Sequence, residues 1–193
     1  MKVIITAMQC EADAVKAALG DSIKIIVSGI GKVNAAAATQ QAIMLGATEI
    51  LNCGLSGGID IKMRVPEVYE IESAVEYDFD LSDVNGTQVG VLDERTSPYI
   101  PAQTTGKYPA RILATGDRFK SETSDFALLD KLNCTIRDME GAAIAHICEK
   151  NSVPFRALKV ISDVRGLGSM PEQYLSNLKI ALSALSAAVQ KWV

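Results

Sequence analysis

The chain has 193 residues, 48% of them hydrophobic and 5% aromatic, with a net charge of −4 and a pI of about 5.1. That is enough apolar material for one globular domain with a substantial core, expected to span residues 1–193. No basic cluster rises above the scattered Lys and Arg, and no apolar run approaches the length of a membrane span. The balance therefore argues against nucleic-acid and membrane partners and for small molecules or proteins, in a cytoplasmic setting. Cys10, Cys53, Cys134 and Cys148 lack paired metal-binding spacing and His146 is the single histidine, so the cysteines read as reduced, mostly core thiols and no metal or cofactor is expected.

Val3 to Ala7 is a short apolar strand, followed by a helix from Glu11 to Leu19 that Gly20 closes. Ile23 to Val27 repeats the apolar run and leads through Ser28-Gly29-Ile30-Gly31-Lys32 into an Ala-rich helix, Val33 to Leu45, ended by Gly46. The two small residues before that helix give the backbone room to approach a ligand. Glu49 to Cys53 is a third strand, and Gly54-Leu55-Ser56-Gly57-Gly58 after it reads as a second cradle, a loop with positive φ and exposed amides. From Val65 to about Pro109 the helical period disappears. Glu67 to Val75 and Gln88 to Leu92 read as strands broken by turns such as Asn85-Gly86, forming a hairpin or a strand extension, and Tyr99 to Pro109 reads as an irregular loop and candidate lid.

Ala110 to Thr115 and Thr135 to Met139 are further strands, the first leaving into Gly116-Asp117-Arg118-Phe119-Lys120 and the second running into a helix from Glu140 to about Lys150. Phe155 to Asp163 is an apolar run that stops on a carboxylate, the signature of a central strand whose last residue reaches the edge of a sheet. The last helix opens on a capping box, Ser169-Met170-Pro171-Glu172, and carries Leu175, Leu178, Leu182, Leu185, Val189 and Trp192 at alternating threes and fours, a stripe expected to pack rather than to catalyse. Strands alternating with helices imply a three-layer αβα sandwich around a central mixed β-sheet. In such sheets ligands bind at the carboxyl ends of the strands. That edge gathers Glu11, the Ser28–Lys32, Gly54–Gly58 and Gly116–Phe119 loops, Met139, Glu140 and Asp163. Taken singly, each acid has an ordinary reading: Asp163 as a turn cap, Glu140 as a helix-start acid, Glu11 on a solvated face.

Ala7-Met8-Gln9-Cys10-Glu11, Ser28 to Ala37, Asn52 to Gly58, Thr115 to Phe119, Asp138 to His146 and Ile161-Ser162-Asp163 together resemble, in the same order, the 5′-methylthioadenosine/S-adenosylhomocysteine nucleosidases of the purine nucleoside phosphorylase family. The resemblance spans most of the chain; the middle third is shorter than expected. It implies cleavage of a purine N-glycosidic bond, with Asp163 as proton donor to N7 of the base and Glu11 as the group that positions and deprotonates the attacking water. Glu140 would hold the ribose hydroxyls, Met139 pack on the sugar, Phe119 stack on the base and the backbone near Lys120 read its edge. Ser162 would hold the base or orient Asp163, and Ser56, Gly57 and Ile30 would complete the binding surface. The chemistry agrees: a poor purine leaving group and a cationic ribosyl transition state call for two carboxyl groups on opposite sides. Asp163 must then keep its proton at neutral pH, which burial favours, whereas the helix start favours ionised Glu140.

Several residues depart from the family pattern. Leu55 stands where these nucleosidases carry a Ser near the nucleophile, and Lys159 where an Arg often supports the acids. Arg165 is unexpected, free to meet a substrate anion or solvent, and Asn52 replaces the Arg that a phosphate pocket commonly uses. Hydrolysis is thus favoured over phosphorolysis. The alternatives are a phosphorylase, a futalosine-type nucleosidase, or a nucleoside-binding protein without turnover. The resemblance also implies a homodimer.

Overall fold

The computed structural model describes residues 1–92, 95–119 and 123–193. In chain order the elements are β1 (Lys2–Thr6), α1 (Gln9–Leu19), β2 (Lys24–Val27), α2 (Lys32–Met44), β3 (Glu49–Gly58), β4 (Val68–Glu76), α3 (Ser82–Asn85), β5 (Ile100–Pro101), β6 (Ala110–Thr115), α4 (Thr123–Lys131), β7 (Ile136–Asp138), α5 (Gly141–Lys150), β8 (Phe155–Val164) and α6 (Met170–Trp192). Mixed strands lie between helices on two sides, as the alternation of apolar runs implies. One side is closed by α1 and α6, where Val15, Ala181, Leu185, Val189 and Trp192 cluster with Ile4, Leu51 and Leu158. On the other, Ala35 and Ala42 of α2 and Ala142 to Ala145 of α5 pack with Val3, Ile5, Ile50 and Ala157. Their small side chains let these helices lie close to the strands. Among the described residues no helix is long and apolar enough to cross a membrane.

The pairing closes on itself. β2, β1, β3 and β8 run parallel side by side, β8 then meets β4 antiparallel, β4 and β6 and then β6 and β7 are parallel, and β7 returns antiparallel to β3 through Gly57 opposite Arg137. β3 and β8 are the longest strands, and all ten residues of β8 are buried. Their register breaks once: Ser56 lies opposite Ile161 but Gly57 opposite Asp163, so Ser162 is the extra residue of a bulge. Bulges re-aim side chains, and this one sits beside Asp163.

Several expectations need correction. Gly54–Gly58 is the last half of β3 rather than a loop, because β8 pairs with it throughout. Gln88 to Leu92 form a turn, with the Val91 amide donating to the Gln88 carbonyl (3.1 Å); Val91 and Leu92 are buried from that turn instead of from a strand. Asn85-Gly86 ends the short helix α3, Gly86 being left-handed, and the strand extension is β5, antiparallel to β4. The Tyr99–Pro109 segment is no lid over the strand ends. It wraps the buried Glu70, which accepts from the Thr105 hydroxyl (2.8 Å) and the Lys107 and Tyr108 amides (2.9 and 3.0 Å), while the Tyr108 hydroxyl reaches the Ala188 carbonyl of α6 (3.3 Å). Buried anionic acceptors draw in every amide they can reach, and this one lies away from the carboxyl edge. On α6 the stripe begins later than its spacing implies: Leu175 is 70% exposed, and burial starts at Ala181.

Candidate active site

A pocket opens at the carboxyl ends of the strands, lined by Ala7, Met8, Glu11, Ile30, Leu55, Ser56, Gly57, Arg118, Phe119, Arg137, Asp138, Met139, Glu140, Ser162, Asp163 and Tyr174. Nine of the ten residues singled out in the sequence line it; the tenth, Lys120, lies outside the described residues. The acids arrive there by different routes.

Glu11 sits in the first turn of α1 and is 2% exposed. Its Oε2 accepts from the Ala7 and Met8 amides (3.1 and 3.0 Å) and its Oε1 from the Leu55 amide (2.8 Å). The Leu55 position thus serves the acid through its backbone, whatever its side chain. Burial raises the pKa of Glu11, opposed by the Leu55 amide, Lys159 and the Met8 and Ala7 amides. The carboxylate needs the gap left by Gly54, where a Cβ would stand 2.7 Å from Oε1.

Asp163 follows the bulge and is 1% exposed. The Ser162 hydroxyl donates to its Oδ1 (2.7 Å) and also lies 3.3 Å from the Ser56 carbonyl, so Ser162 orients the acid. Oδ2 has no hydrogen-bond partner among the described residues. Burial raises the pKa of Asp163, resisted by the Ser162 bond and the Arg137 charge. A buried oxygen without a partner, on an acid that burial shifts toward its neutral form, is a natural place for a transferable proton.

Glu140 is the residue before α5, and its Oε1 accepts from the Gly31 amide (2.8 Å). The helix start does not win here: burial first, then Asp138, push its pKa up to about 7, against the pull of Lys159 and the Gly31 amide. Asp138 lies beside it and accepts from the Thr115 hydroxyl (2.6 Å), the Gly141 amide (2.9 Å) and the Lys159 ammonium (2.8 Å). Burial disfavours the Lys159 charge, but Asp138, Glu140 and Glu11 more than offset it and its pKa is raised. Lys159 is therefore the counter-ion of three acids, held behind the pocket wall.

The remaining surface is apolar or aromatic. The Phe119 ring is 41% exposed at the pocket and meets Tyr174 edge-to-face at 5.8 Å. Tyr174 shows that α6 does more than pack. Gln173 binds both the amide and the carbonyl of Val164 (3.0 Å each), and Asn177 donates to the Ser162 carbonyl (3.0 Å), so this helix clamps the bulged end of β8. Sequence reasoning missed Arg118, Arg137 and Tyr174 as pocket residues. Arg137, a lone cation before Asp138-Met139-Glu140, was visible as a signal; Tyr174, in register with Leu178 and Leu185 on the packing face, was not. Arg165 turns away, pairing with Asp130 (3.3 Å) and lying over the Phe126 ring (4.2 Å). Asn52 donates to the Ile5 carbonyl (3.0 Å) inside the sheet. Cys53 is buried with its pKa pushed up to about 12, and burial together with Glu11 raises that of Cys10, so neither is an activated thiol.

Residues 10–193 match the model of the phosphorylase superfamily. The 5′-methylthioadenosine/S-adenosylhomocysteine nucleosidase of Colwellia psychrerythraea is 31% identical over 192 residues, covering 86% of this chain and 77% of that protein. Its namesake from Halalkalibacterium halodurans is 32% identical over 166 residues, covering 76% and 70%. Among solved structures, the Colwellia psychrerythraea nucleosidase in complex with adenine superposes with a TM-score of 0.83 at 25% identity, over 98% of this chain and 93% of that one. The futalosine hydrolase of Helicobacter pylori shares the fold, with a TM-score of 0.87 at 21% identity over 98% and 96%. The chain belongs to the phosphorylase superfamily.

Proposed function

We propose that the chain is a purine nucleosidase that hydrolyses the N-glycosidic bond of an adenosine-type nucleoside, 5′-methylthioadenosine or S-adenosylhomocysteine, and releases the free base. The relatives that cover most of the chain carry that name. The observation that carries the reading is the pair of buried carboxyl groups on one pocket, Asp163 with an unpartnered Oδ2 and Glu11 held by three backbone amides. The Tyr174 hydroxyl senses both acids: burial raises its pKa, and Cys10, Glu11 and Asp163 push it further up.

In this mechanism the C1′–N9 bond breaks and its electron pair leaves with the purine, whose N7 takes the proton from Asp163. Water adds to C1′ and loses its proton to Glu11, whose basicity burial increases. Asp163 ends ionised and Glu11 protonated; solvent exchange restores both. Ionised Glu140 accepts from the ribose hydroxyls, Met139 packs on the sugar, Phe119 covers the base, Ile30, Ser56 and Gly57 shape the walls and Ser162 aims the acid. With this reading go a cytoplasmic location, a homodimer and a place in purine and methionine salvage.

Purified protein incubated with 5′-methylthioadenosine is expected to release adenine without added phosphate; strict phosphate dependence would sink the hydrolytic reading. Asp163→Asn is expected to lower kcat by about 10²–10⁴-fold while ligand affinity changes little. An unchanged kcat removes Asp163 from the mechanism.

A further inference from the structure

The mechanism above gives no task to Lys32, the first residue of α2. A helix start needs acceptors for its free amides, and the cap position here is Gly31, which has no side chain to offer. The acceptor comes from a distant loop instead: the Lys32 amide donates to Asp117 Oδ1 (2.8 Å), and a Cβ on Gly31 would stand 3.1 Å from the same oxygen. The Asp117 amide in turn donates to Asp78 Oδ2 (3.0 Å), and the Lys32 ammonium returns to Asp78 Oδ1 (2.6 Å). These hydrogen bonds close a ring through Lys32, Asp117 and Asp78. The ammonium also donates to Glu76 Oε2 (3.3 Å), and Glu76 Oε1 lies 3.2 Å from Nδ1 of His146 on α5, the helix that Glu140 opens. Burial disfavours the Lys32 charge, but Asp78 and Glu76 outweigh it and raise its pKa, so it stays an ammonium.

The ring joins two sides of the pocket. Gly31, beside Lys32 in the chain, donates its amide to Glu140, the acid assigned to the ribose hydroxyls, and Phe119, assigned to the base, follows Asp117 by two residues. Lys32, Glu76, Asp78 and Asp117 stand outside the pocket lining, so they act on a ligand only through these neighbours. We propose that Lys32 is a positioning residue that fixes the distance between the base platform at Phe119 and the ribose acid Glu140. One ammonium holds two carboxylates together. Without it Asp78 and Glu76 repel each other, Asp78 turns toward solvent and the Asp117 amide loses its acceptor. A nucleoside must satisfy Phe119 and Glu140 at once, and a misplacement of about 1 Å between them is enough to weaken it. The free base meets one side only and can follow it. The inference rests on the reading of this pocket as a purine nucleoside site with Glu140 on the ribose.

The test compares 5′-methylthioadenosine with adenine in wild type, Lys32→Met and Lys32→Arg. Lys32→Met is expected to raise KM for the nucleoside by about tenfold or more with kcat within about threefold, because Glu11 and Asp163 stand on α1 and β8, outside the ring. In calorimetric titration its affinity for adenine is expected to stay within about threefold of wild type. Lys32→Arg, which keeps the charge and can bridge both carboxylates, is expected to recover most of the loss. A smaller rise in KM, a loss carried by kcat, no recovery in Lys32→Arg, or equal weakening of adenine and nucleoside each overturns the inference and leaves the nucleosidase reading standing. Equal weakening would mean that Lys32 only props the Phe119 loop. If wild type releases no adenine, the nucleosidase reading fails by itself and calorimetry decides: nucleoside binding that Lys32→Met weakens about tenfold more than adenine binding supports the inference, and a parallel loss refutes it. Should Lys32→Met not fold, Asp78→Ala opens the same ring; the same split between nucleoside and adenine supports the inference, and a parallel loss overturns it.

Discussion

Two glycine-bearing stretches border the pocket, and in the sequence they look alike: Gly29-Ile30-Gly31 before α2 and Gly54 to Gly58 after the third apolar run. In the fold they differ. Gly29 and Gly31 have φ of 88° and 100°, a backbone that side-chain-bearing residues rarely adopt, and the Gly31 amide is thereby aimed at Glu140. Gly54, Gly57 and Gly58 are regular strand residues of β3. There the glycines are needed for what they lack: a Cβ on Gly54 would meet Glu11, and one on Gly57 would meet Asp163 and Arg137. The first stretch spends glycine on conformation and serves an acid by donating to it. The second spends it on space, so that two acids come close to the backbone. The same residue type thus predicts opposite kinds of damage when replaced.

Gly54→Ala should act on chemistry. The atom that its Cβ meets is the far end of the Glu11 side chain, which can swing aside, so the fold survives but the Leu55 bond to Oε1 is lost. We expect kcat to fall by about 10²-fold, with a melting temperature close to wild type. A large loss of stability at unchanged kcat per folded molecule would break the comparison. Gly31→Ala should act on the fold, at a cost of about 1–3 kcal/mol from the strained φ, seen in chemical denaturation, with KM affected more than kcat. A fully stable variant would show that this backbone relaxes at no cost.

The smallest effect concerns the acid that the first stretch serves. Folded Glu140 keeps its proton up to about pH 7, whereas the unfolded chain releases it near 4.5, as a solvated Glu does. Between these values the folded state binds more protons, so its stability declines as pH rises through the window. Glu140→Gln removes that decline. The variant should match wild type below about pH 4.5 and exceed it above pH 7, by about 1–2 kcal/mol in urea unfolding. A constant difference at all pH values would mean that Glu140 does not titrate there. Wild-type kcat/KM should also fall below about pH 7, as the carboxylate that accepts from ribose is neutralised.

Much of this site was legible because strand ends announce themselves. An apolar run stopping on Asp163, or Asp138-Met139-Glu140 at the junction of strand and helix, marks the carboxyl edge of a sheet from periodicity; the ten site residues came from the family resemblance, and nine of them line one pocket. The middle third was harder. Val91 and Leu92 carry a strand-like pattern yet are buried from a turn, since alternation reports which side chains want burial and not which backbone partner is available. Tyr99 to Pro109 looked like a lid because it lacks a period; its course follows from the buried charge of Glu70, which no local pattern reveals. Residues that reach the pocket from distant elements were the least visible. Tyr174 shares the apolar face of α6 with Leu178 and Leu185 and so reads as packing, with the clamp residues Gln173 and Asn177 at its margin. The helical period does not say that the first turns of α6 reach the bulged end of β8.

By itself, then, the sequence determined the alternation of strands and helices over most of the chain and which acids stand at strand ends, because these follow from local periodicity and from the small residues that punctuate it. Only the tertiary structure decided the closing of β3, β8, β4, β6 and β7 into a ring, the bulge at Ser162 that turns Asp163, and the meeting of Arg137 with that acid across Gly57. It also decided protonation: Glu140, at a helix start that favours its charge, is pushed the other way by burial and by Asp138. Those outcomes depend on which groups, far apart in the chain, share one dry space, and a pairwise interaction across that space has no trace in the local pattern of either partner.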